Sequence, residues 1–85
     1  MTHELKIWPQ NWQRVFDGTK TFEIRVNDRV FQKGDEVVLC PWCPETKTYL
    51  NKSPYCKITR QIGDVYPIDH ERVVFSLLKI CRPKG

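Results

Sequence analysis

Three charged side chains within residues 18–25 are the first candidates for chemistry in this sequence. The segment reads GTKTFEIR, and its alternation of polar and apolar residues predicts a strand that places Glu23 and Arg25 on one face. Two residues of strand rise about 6.5 Å, so the carboxylate and the guanidinium would stand side by side, with Lys20 at the turn before them. Lys20 and Arg25 can hold an anion such as a phosphate, Arg25 through a two-pronged contact and Lys20 as a point charge.

Glu23 needs a separate explanation, because a carboxylate does not bind phosphate. It can accept a hydrogen bond from a base amino group, as carboxylates do with cytosine, orient Lys20, or act as a general acid or base. The alternative explanation is structural. An antiparallel strand commonly exposes its charges to water and turns apolar residues, here Phe22 and Ile24, to the opposite face. Such a surface pair stabilises a fold by less than about 1 kcal/mol.

The segment resembles a known signature. Gly18, Lys20, Glu23 and Arg25 match the Gly-x-Lys-x-x-Glu-x-Arg pattern of the ASCH superfamily, which consists of small PUA-like β-barrels. The resemblance covers residues 3–39 and includes the segments HELKIWP, FEIR, NDR and FQxGD. These segments are similar to those of an uncharacterised family of ASCH-like proteins of bacteria and phages. The resemblance implies an α+β fold, a mostly antiparallel PUA-like barrel with one short helix. It also implies that the three charged residues line a ligand cleft beside that helix.

The resemblance and the charge distribution together predict an RNA-binding or nucleotide-binding module, because ASCH and PUA-like domains are associated with RNA. Residues 1–42 carry six Lys/Arg and six Asp/Glu, whereas residues 43–85 carry eight against four, so the second half holds the whole formal charge of +4. Cations interleaved with aromatic residues are typical of proteins that bind single-stranded nucleic acid. Solubility charges explain the same cations equally well. The predicted ligand-binding residues are Lys6, Trp8, Lys20, Glu23, Arg25, Trp42, Tyr49, Lys52, Lys57 and Arg60.

A small enzyme is the alternative function. Some single-domain ASCH proteins resemble amidohydrolases that remove the acetyl group from an N-acetylated cytidine, and they carry a lysine at the position of Lys20. A lysine desolvated in such a cleft can act as a base, so Lys20 and Glu23 are the catalytic candidates of this alternative. Those enzymes carry a threonine where this chain has Glu23, and no second catalytic acid can be placed among Asp64, Asp69 and Glu71. Binding is therefore favoured over catalysis.

The four cysteines raise a third class, a zinc-stapled interaction domain. Cys40 and Cys43 have the Cys-x-x-Cys spacing of zinc sites and redox dithiols, and Cys56 and Cys81 complete the set. Pro44 and the strand-rich pattern argue against a dithiol oxidoreductase, whose cysteine pair usually opens a helix. A structural zinc would staple an irregular loop in a domain with a small core. Since there is no second Cys-x-x-Cys, free thiols and no cofactor are the favoured prediction.

Length and composition bound the remaining choices. A chain of 85 residues, of which 40% are apolar, is expected to form one domain over residues 1–85. No apolar run approaches the roughly 18 residues of a membrane span, and charges at Glu4 and Lys6 interrupt any signal-peptide pattern. We therefore expect a cytoplasmic monomer that binds no membrane. No feature of the sequence identifies a protein partner.

Periodicity predicts the order of the elements. A helix is expected to begin at Pro9, to bury Trp12 in the core, and to end at Gly18, which adopts positive φ freely. Prolines argue against a central strand over residues 41–54, and residues 63–72 are predicted to form a turn with at most one helical turn. His3 is expected to border the cleft. Strands are predicted over residues 3–7, 21–25, 36–40, 55–62 and 73–80, with a short one within 46–49.

Overall fold

A computed structural model describes residues 1–51 and 55–80, which contain one helix and six strands. Lys52 and Cys81 lie outside the described residues, so what is predicted for them stays a prediction. In chain order the elements are β1 (Thr2–Ile7), α1 (Pro9–Phe16), β2 (Phe22–Val26), β3 (Glu36–Cys43), β4 (Thr48–Tyr49), β5 (Ile58–Pro67) and β6 (Arg72–Leu78).

The strands form one sheet whose two edges are β1 and β2. Their order is β1-β3-β5-β6-β2, and β4 pairs with the far end of β3. β1 runs parallel to β3, and the other pairs are antiparallel. Within the described residues no backbone ladder joins β1 to β2, so the sheet is open there. The predicted α+β class, mostly antiparallel with one short helix, is confirmed at this level.

The helix begins and ends as its sequence signals predict. Pro9 occupies the first turn, where its missing N–H costs nothing, and Gly18 follows the helix with φ +85°. Trp12 is fully buried, and its indole N–H donates to the carbonyl of Cys56 (2.7 Å). Phe16, which lies on the same apolar stripe, is half exposed and stacks on the Trp12 ring.

A single apolar core joins α1 to the sheet. The core consists of Leu5, Ile7, Trp12, Val15, Phe31, Val37, Leu39, Ile58, Ile62, Val73, Phe75 and Leu77.

No helix in residues 1–51 and 55–80 is long and apolar enough to cross a membrane.

The prediction that prolines end the strand after residue 40 is wrong for Pro41. β3 continues through Pro41, which lies beside Ile7 of β1 in the register. Antiparallel pairing of β3 with β5 ends at Leu39, so no ladder hydrogen bond to β5 is lost at the proline. The strand then pairs with β4 through Trp42 and Cys43.

The predicted turn over residues 63–72 is wrong in its first half. β5 runs on to Pro67 and carries a bulge on the way. Gly63 is buried with no room for a β-carbon beside the Ser76 hydroxyl, which accepts a hydrogen bond from the backbone N–H of Asp64 (2.9 Å). Gly63 is therefore not a turn residue. Its missing side chain lets β5 and β6 approach each other closely at Ser76.

Candidate functional site

The charged face of β2 points into the protein, and its apolar face points to solvent. Glu23 lies opposite Phe75 of β6, and directly opposed residues share one face of a sheet. Phe75 is buried and Glu23 is only 6% exposed, whereas Phe22 and Ile24 are 48% and 45% exposed. The alternation agrees with the sequence pattern, but the buried face is the polar one. Glu23 is therefore not part of a solvated surface pair.

Glu23 lies between the two cations of the signature. Lys20 Nζ is 3.2 Å from Glu23 Oε1, and Arg25 Nη2 is 3.6 Å from Glu23 Oε2. The backbone N–H of Ile24 also donates to Oε1 (3.3 Å). Oε2 is buried and accepts no hydrogen bond from the described part of the chain. Burial of an acceptor without a donor is unfavourable, so this oxygen distinguishes the cluster from an ordinary ion pair.

Arg25 reaches across the open edge of the sheet. Its Nη2 donates to the backbone carbonyl of Lys6 in β1, so a guanidinium joins the two edge strands where a ladder hydrogen bond is missing. Arg25 Nε is buried and finds no acceptor among residues 1–51 and 55–80. One donor and one acceptor in the same cluster are thus unused, an arrangement that is rare among buried polar groups and calls for an explanation.

A hollow of about 300 Å³, here called the β1–β2 hollow, opens at this edge. Tyr49 is exposed beside it and meets the half-buried Trp42 edge to face, with ring centroids 4.8 Å apart. Lys6 Nζ lies 4.0 Å from the Trp42 centroid, a cation–π distance. The hollow thus combines three cations and one acid with an aromatic wall, which consists of Tyr49 in the lining and Trp42 packed against it. Its lining consists of Glu4, Leu5, Lys6, Arg25, Arg29, Cys40 and Tyr49.

Lys20 opens on a different hollow, here called the helix-side hollow. It measures about 280 Å³ and is lined by Asn11, Arg14, Thr19, Lys20 and Phe22. The backbone N–H of Lys20 and the Thr19 hydroxyl both donate to the carbonyl of Arg14 (2.9 and 3.3 Å), so this hollow lies at the C-terminal end of α1. It shares no lining residue with the β1–β2 hollow. The single cleft expected from the sequence is therefore divided.

Arg29 is a residue of the β1–β2 hollow that the sequence patterns do not indicate. It follows β2, and its Nε lies 3.5 Å from an Asp28 carboxylate oxygen in an exposed ion pair. Its guanidinium carbon lies 6.0 Å from the Phe31 ring. In the sequence, Arg29 lies in the NDR segment of the resemblance to ASCH proteins. That resemblance implies no role for it.

The other candidate RNA-binding residues are spread around the molecule. Trp8 is exposed just before α1 and does not line the β1–β2 hollow. Lys57 lines a separate hollow of about 250 Å³, which shares Cys40 and Tyr49 with the β1–β2 hollow. The Arg60 guanidinium donates to the neighbouring backbone carbonyl on β5 (3.0 Å). Among the described residues, Trp8 and Arg60 therefore lie apart from the β1–β2 hollow, whereas the hollow that Lys57 lines adjoins it.

His3 belongs to a structural cluster and not to the cleft expected for it. It is buried, with Nε2 2.9 Å from Asp35 Oδ2, and its ring packs on Phe31 (4.8 Å). The backbone N–H of Gln32 donates to the same carboxylate oxygen (3.1 Å). The hydrogen bond with His3 is the largest of the effects that lower the pKa of Asp35.

The described cysteines form no disulfide and no metal centre. Cys40 is buried, Cys43 half-buried and Cys56 exposed, and all three are free. Burial raises the pKa of the Cys40 thiol, whereas hydrogen bonds, the largest from the Thr46 side chain, lower the pKa of Cys43. Across residues 1–51 and 55–80 no three His, Cys, Asp or Glu side chains are grouped to hold a metal. Cys81 lies outside these ranges, so the four-cysteine zinc hypothesis stays untested.

Comparison with known proteins gives a family without an activity. A family model described as a domain of unknown function (DUF3850) matches residues 2–77. No curated protein matches the chain.

Proposed function

We propose that this chain, which belongs to the DUF3850 family, binds a nucleotide or a short single-stranded RNA in the β1–β2 hollow. The observation that carries the proposal is the position of Arg25. Its guanidinium is held between a buried carboxylate and the carbonyl of Lys6, at a hollow that has two further cations and an aromatic wall. Arg25 and Arg29 bind phosphate with Lys6, and Tyr49 stacks on a base.

The two arginines support binding of a phosphate. A guanidinium has five N–H donors in a planar fork, and the contacts of Arg25 with the Lys6 carbonyl and with Glu23 Oε2 are both made by Nη2. The ion pair between Arg29 and Asp28 is exposed and hence weak, so a phosphate can compete for Arg29. Glu23 acts as a positioning group, because a guanidinium that is already held in place loses less conformational entropy when it binds.

The aromatic wall supports a nucleoside over a bare anion. Stacking of a base on an aromatic side chain contributes about 1–3 kcal/mol, and Tyr49 is exposed at the hollow. Lys6 covers one face of Trp42 in the free protein. When Lys6 turns toward a bound phosphate, that face of Trp42 becomes available to a base as well.

We also propose the features that the sequence resemblance implies, namely a PUA-like barrel, membership of the ASCH superfamily and a cytoplasmic monomer. Arg25 bridges the two edge strands of the open sheet, which supports a sheet that curls toward a PUA-like barrel. Together with the signature in residues 18–25, this supports membership of the ASCH superfamily. A cytoplasmic monomer is the setting in which such a module meets RNA.

A charge-matched pair of variants tests the proposal. Lys6→Gln/Arg29→Gln removes two cations of the hollow, and Lys33→Gln/Lys79→Gln removes two exposed cations elsewhere. We expect the first to weaken binding of a short oligouridylate at least about tenfold, and to reduce the slope of log K against log salt by about 0.7 for each cation that contacts phosphate. The control is expected to change affinity less than about twofold. Equal affinities of the two variants in fluorescence anisotropy would contradict the proposal.

The hydrolase alternative has a separate test. Its candidate base, Lys20, is ion-paired with Glu23 and opens on the helix-side hollow, apart from the proposed nucleotide site. We therefore expect no free acetate when the protein is incubated with an N-acetylated cytidine. Acetate release that is lost in Lys20→Gln would establish catalysis in place of simple binding.

A further inference from the structure

A second hollow adjoins the β1–β2 hollow and shares both of its arginines. It measures about 310 Å³ and is here called the Phe31 hollow. Leu5, Arg25 and Arg29 line both spaces. Two guanidinium groups thus lie at the boundary between two hollows of nearly equal volume. The remaining lining of the Phe31 hollow is Ile24, Val26, Asp28 and Phe31.

We propose that the two hollows take two successive nucleosides of one RNA strand, with the phosphodiester between them bound by Arg25 and Arg29. This inference rests on the proposed function and specifies its ligand as a dinucleotide unit. A terminal phosphate needs a nucleoside on one side only. A phosphodiester carries a nucleoside on each side, which matches cations placed between two hollows better than cations placed at the end of one.

The two hollows offer different contacts to a nucleoside. The β1–β2 hollow offers Tyr49 for stacking. The Phe31 hollow offers the outward apolar side chains of Ile24 and Val26, and the Asp28 carboxylate, which can accept a hydrogen bond from a base amino group or a ribose hydroxyl. This accounts for the outward orientation of the apolar face of β2, because Ile24 and Val26 would contact the bound RNA.

The test compares one nucleotide with two. By titration calorimetry, we expect the dinucleotide UpU to bind at least about tenfold more tightly than uridine 5′-monophosphate. Val26→Glu places an acid in the Phe31 hollow at an exposed position. It is expected to bring the affinity for UpU to within about twofold of that for the mononucleotide. Mononucleotide binding is expected to weaken less than UpU binding, because an acid beside Arg25 and Arg29 opposes the phosphate that both ligands carry.

Two further variants control for the substitution itself. Ile68→Glu adds the same acid at an exposed position after β5 and is expected to leave both affinities unchanged. Val26→Lys is expected to retain or strengthen binding of UpU, because it places a cation where Val26→Glu places an acid.

The outcomes separate this inference from the proposed function. Equal affinities for UpU and the mononucleotide, or an equal loss for both ligands in Val26→Glu, would overturn the dinucleotide site and leave nucleotide binding intact. Failure of the unmodified protein to bind either ligand would overturn both. A larger loss of affinity for UpU than for the mononucleotide in Val26→Glu, with no loss for either ligand in Ile68→Glu, supports the inference.

Discussion

Glu23 and Asp35 are both buried carboxylates, 6% and 8% exposed, yet their surroundings differ. His3 and the backbone N–H of Gln32 contact one oxygen of Asp35, and the amino group of Met1 lies 3.3 Å from the other. Glu23 has one oxygen without any hydrogen bond from the described residues, next to an arginine that borders a hollow. Asp35 is thus a satisfied acid that serves the fold, and we propose that the unsatisfied cluster around Glu23 marks a ligand site.

The largest expected effect comes from removing Arg25, one of the two cations next to Glu23. Breaking a buried ion pair costs about 3–5 kcal/mol, and since the Arg25 side chain is 25% exposed we expect Arg25→Leu to lower the free energy of unfolding by about 2–3 kcal/mol. Lys20→Gln/Glu23→Gln/Arg25→Leu removes all three charges of the cluster and is expected to recover at least half of that loss in urea denaturation. A triple variant that is no more stable than Arg25→Leu would mean that the carboxylate does not depend on its partners.

Binding measurements should next distinguish the cluster around Glu23 from the cluster around Asp35. Arg29→Gln is expected to weaken binding of oligouridylate about fivefold to tenfold and to change the free energy of unfolding by less than about 0.5 kcal/mol, because Arg29 is exposed. Asp35→Asn is expected to do the reverse, with lower stability and unchanged affinity. Anisotropy and urea denaturation on the same samples provide both quantities. Loss of affinity in Asp35→Asn would remove the distinction between the two clusters.

The pH dependence of stability sharpens the structural side of the comparison. Because the folded-state pKa of Asp35 lies below its ordinary value, its stabilisation is present above about pH 4 and is lost as the pH falls through the folded-state pKa. The difference in midpoint temperature between the unmodified protein and Asp35→Asn should therefore shrink between pH 4 and pH 2, as followed by circular dichroism. A difference that stays constant over this range would show that the charge of Asp35 contributes nothing.

The smallest expected effect is at the outward face of β2. Ile24→Thr changes a half-exposed apolar side chain in a strand position that suits threonine, so we expect a loss of less than about 0.5 kcal/mol. The matched control Ile62→Thr alters a buried residue and is expected to cost about 2 kcal/mol or more. Comparable losses at the two positions would contradict the inverted facing of β2.

Local signals in the sequence were sufficient for much of the fold. Pro9 and Gly18 bound the helix, and alternation locates β1 and β2, because capping and periodicity depend only on neighbouring residues. Gly63 and Pro41 are ambiguous for the opposite reason. Whether a glycine or proline ends a strand depends on the strand beside it, here β6 for Gly63 and the end of the β5 ladder for Pro41.

The site is predictable in composition but not in arrangement. The spacing of Lys20, Glu23 and Arg25 indicates that they lie together, as their ion pairs show. Alternation is symmetric between the two faces of a strand, so it does not reveal that pairing with β6 buries Glu23. Lys20 and Arg25 line different hollows, and Arg29 reaches the site from the segment after β2. Neither placement follows from sequence spacing.

The most direct test of the central claim is a ¹H–¹⁵N spectrum of the arginine Nε–Hε groups recorded while UpU is added. We expect the signals of Arg25 and Arg29 to shift together and saturate, while those of Arg14 in the helix-side hollow and Arg72 on β6 stay in place. Shifts at Arg14 with none at Arg25 and Arg29 would contradict the claim that the unsatisfied cluster around Glu23 marks the ligand site.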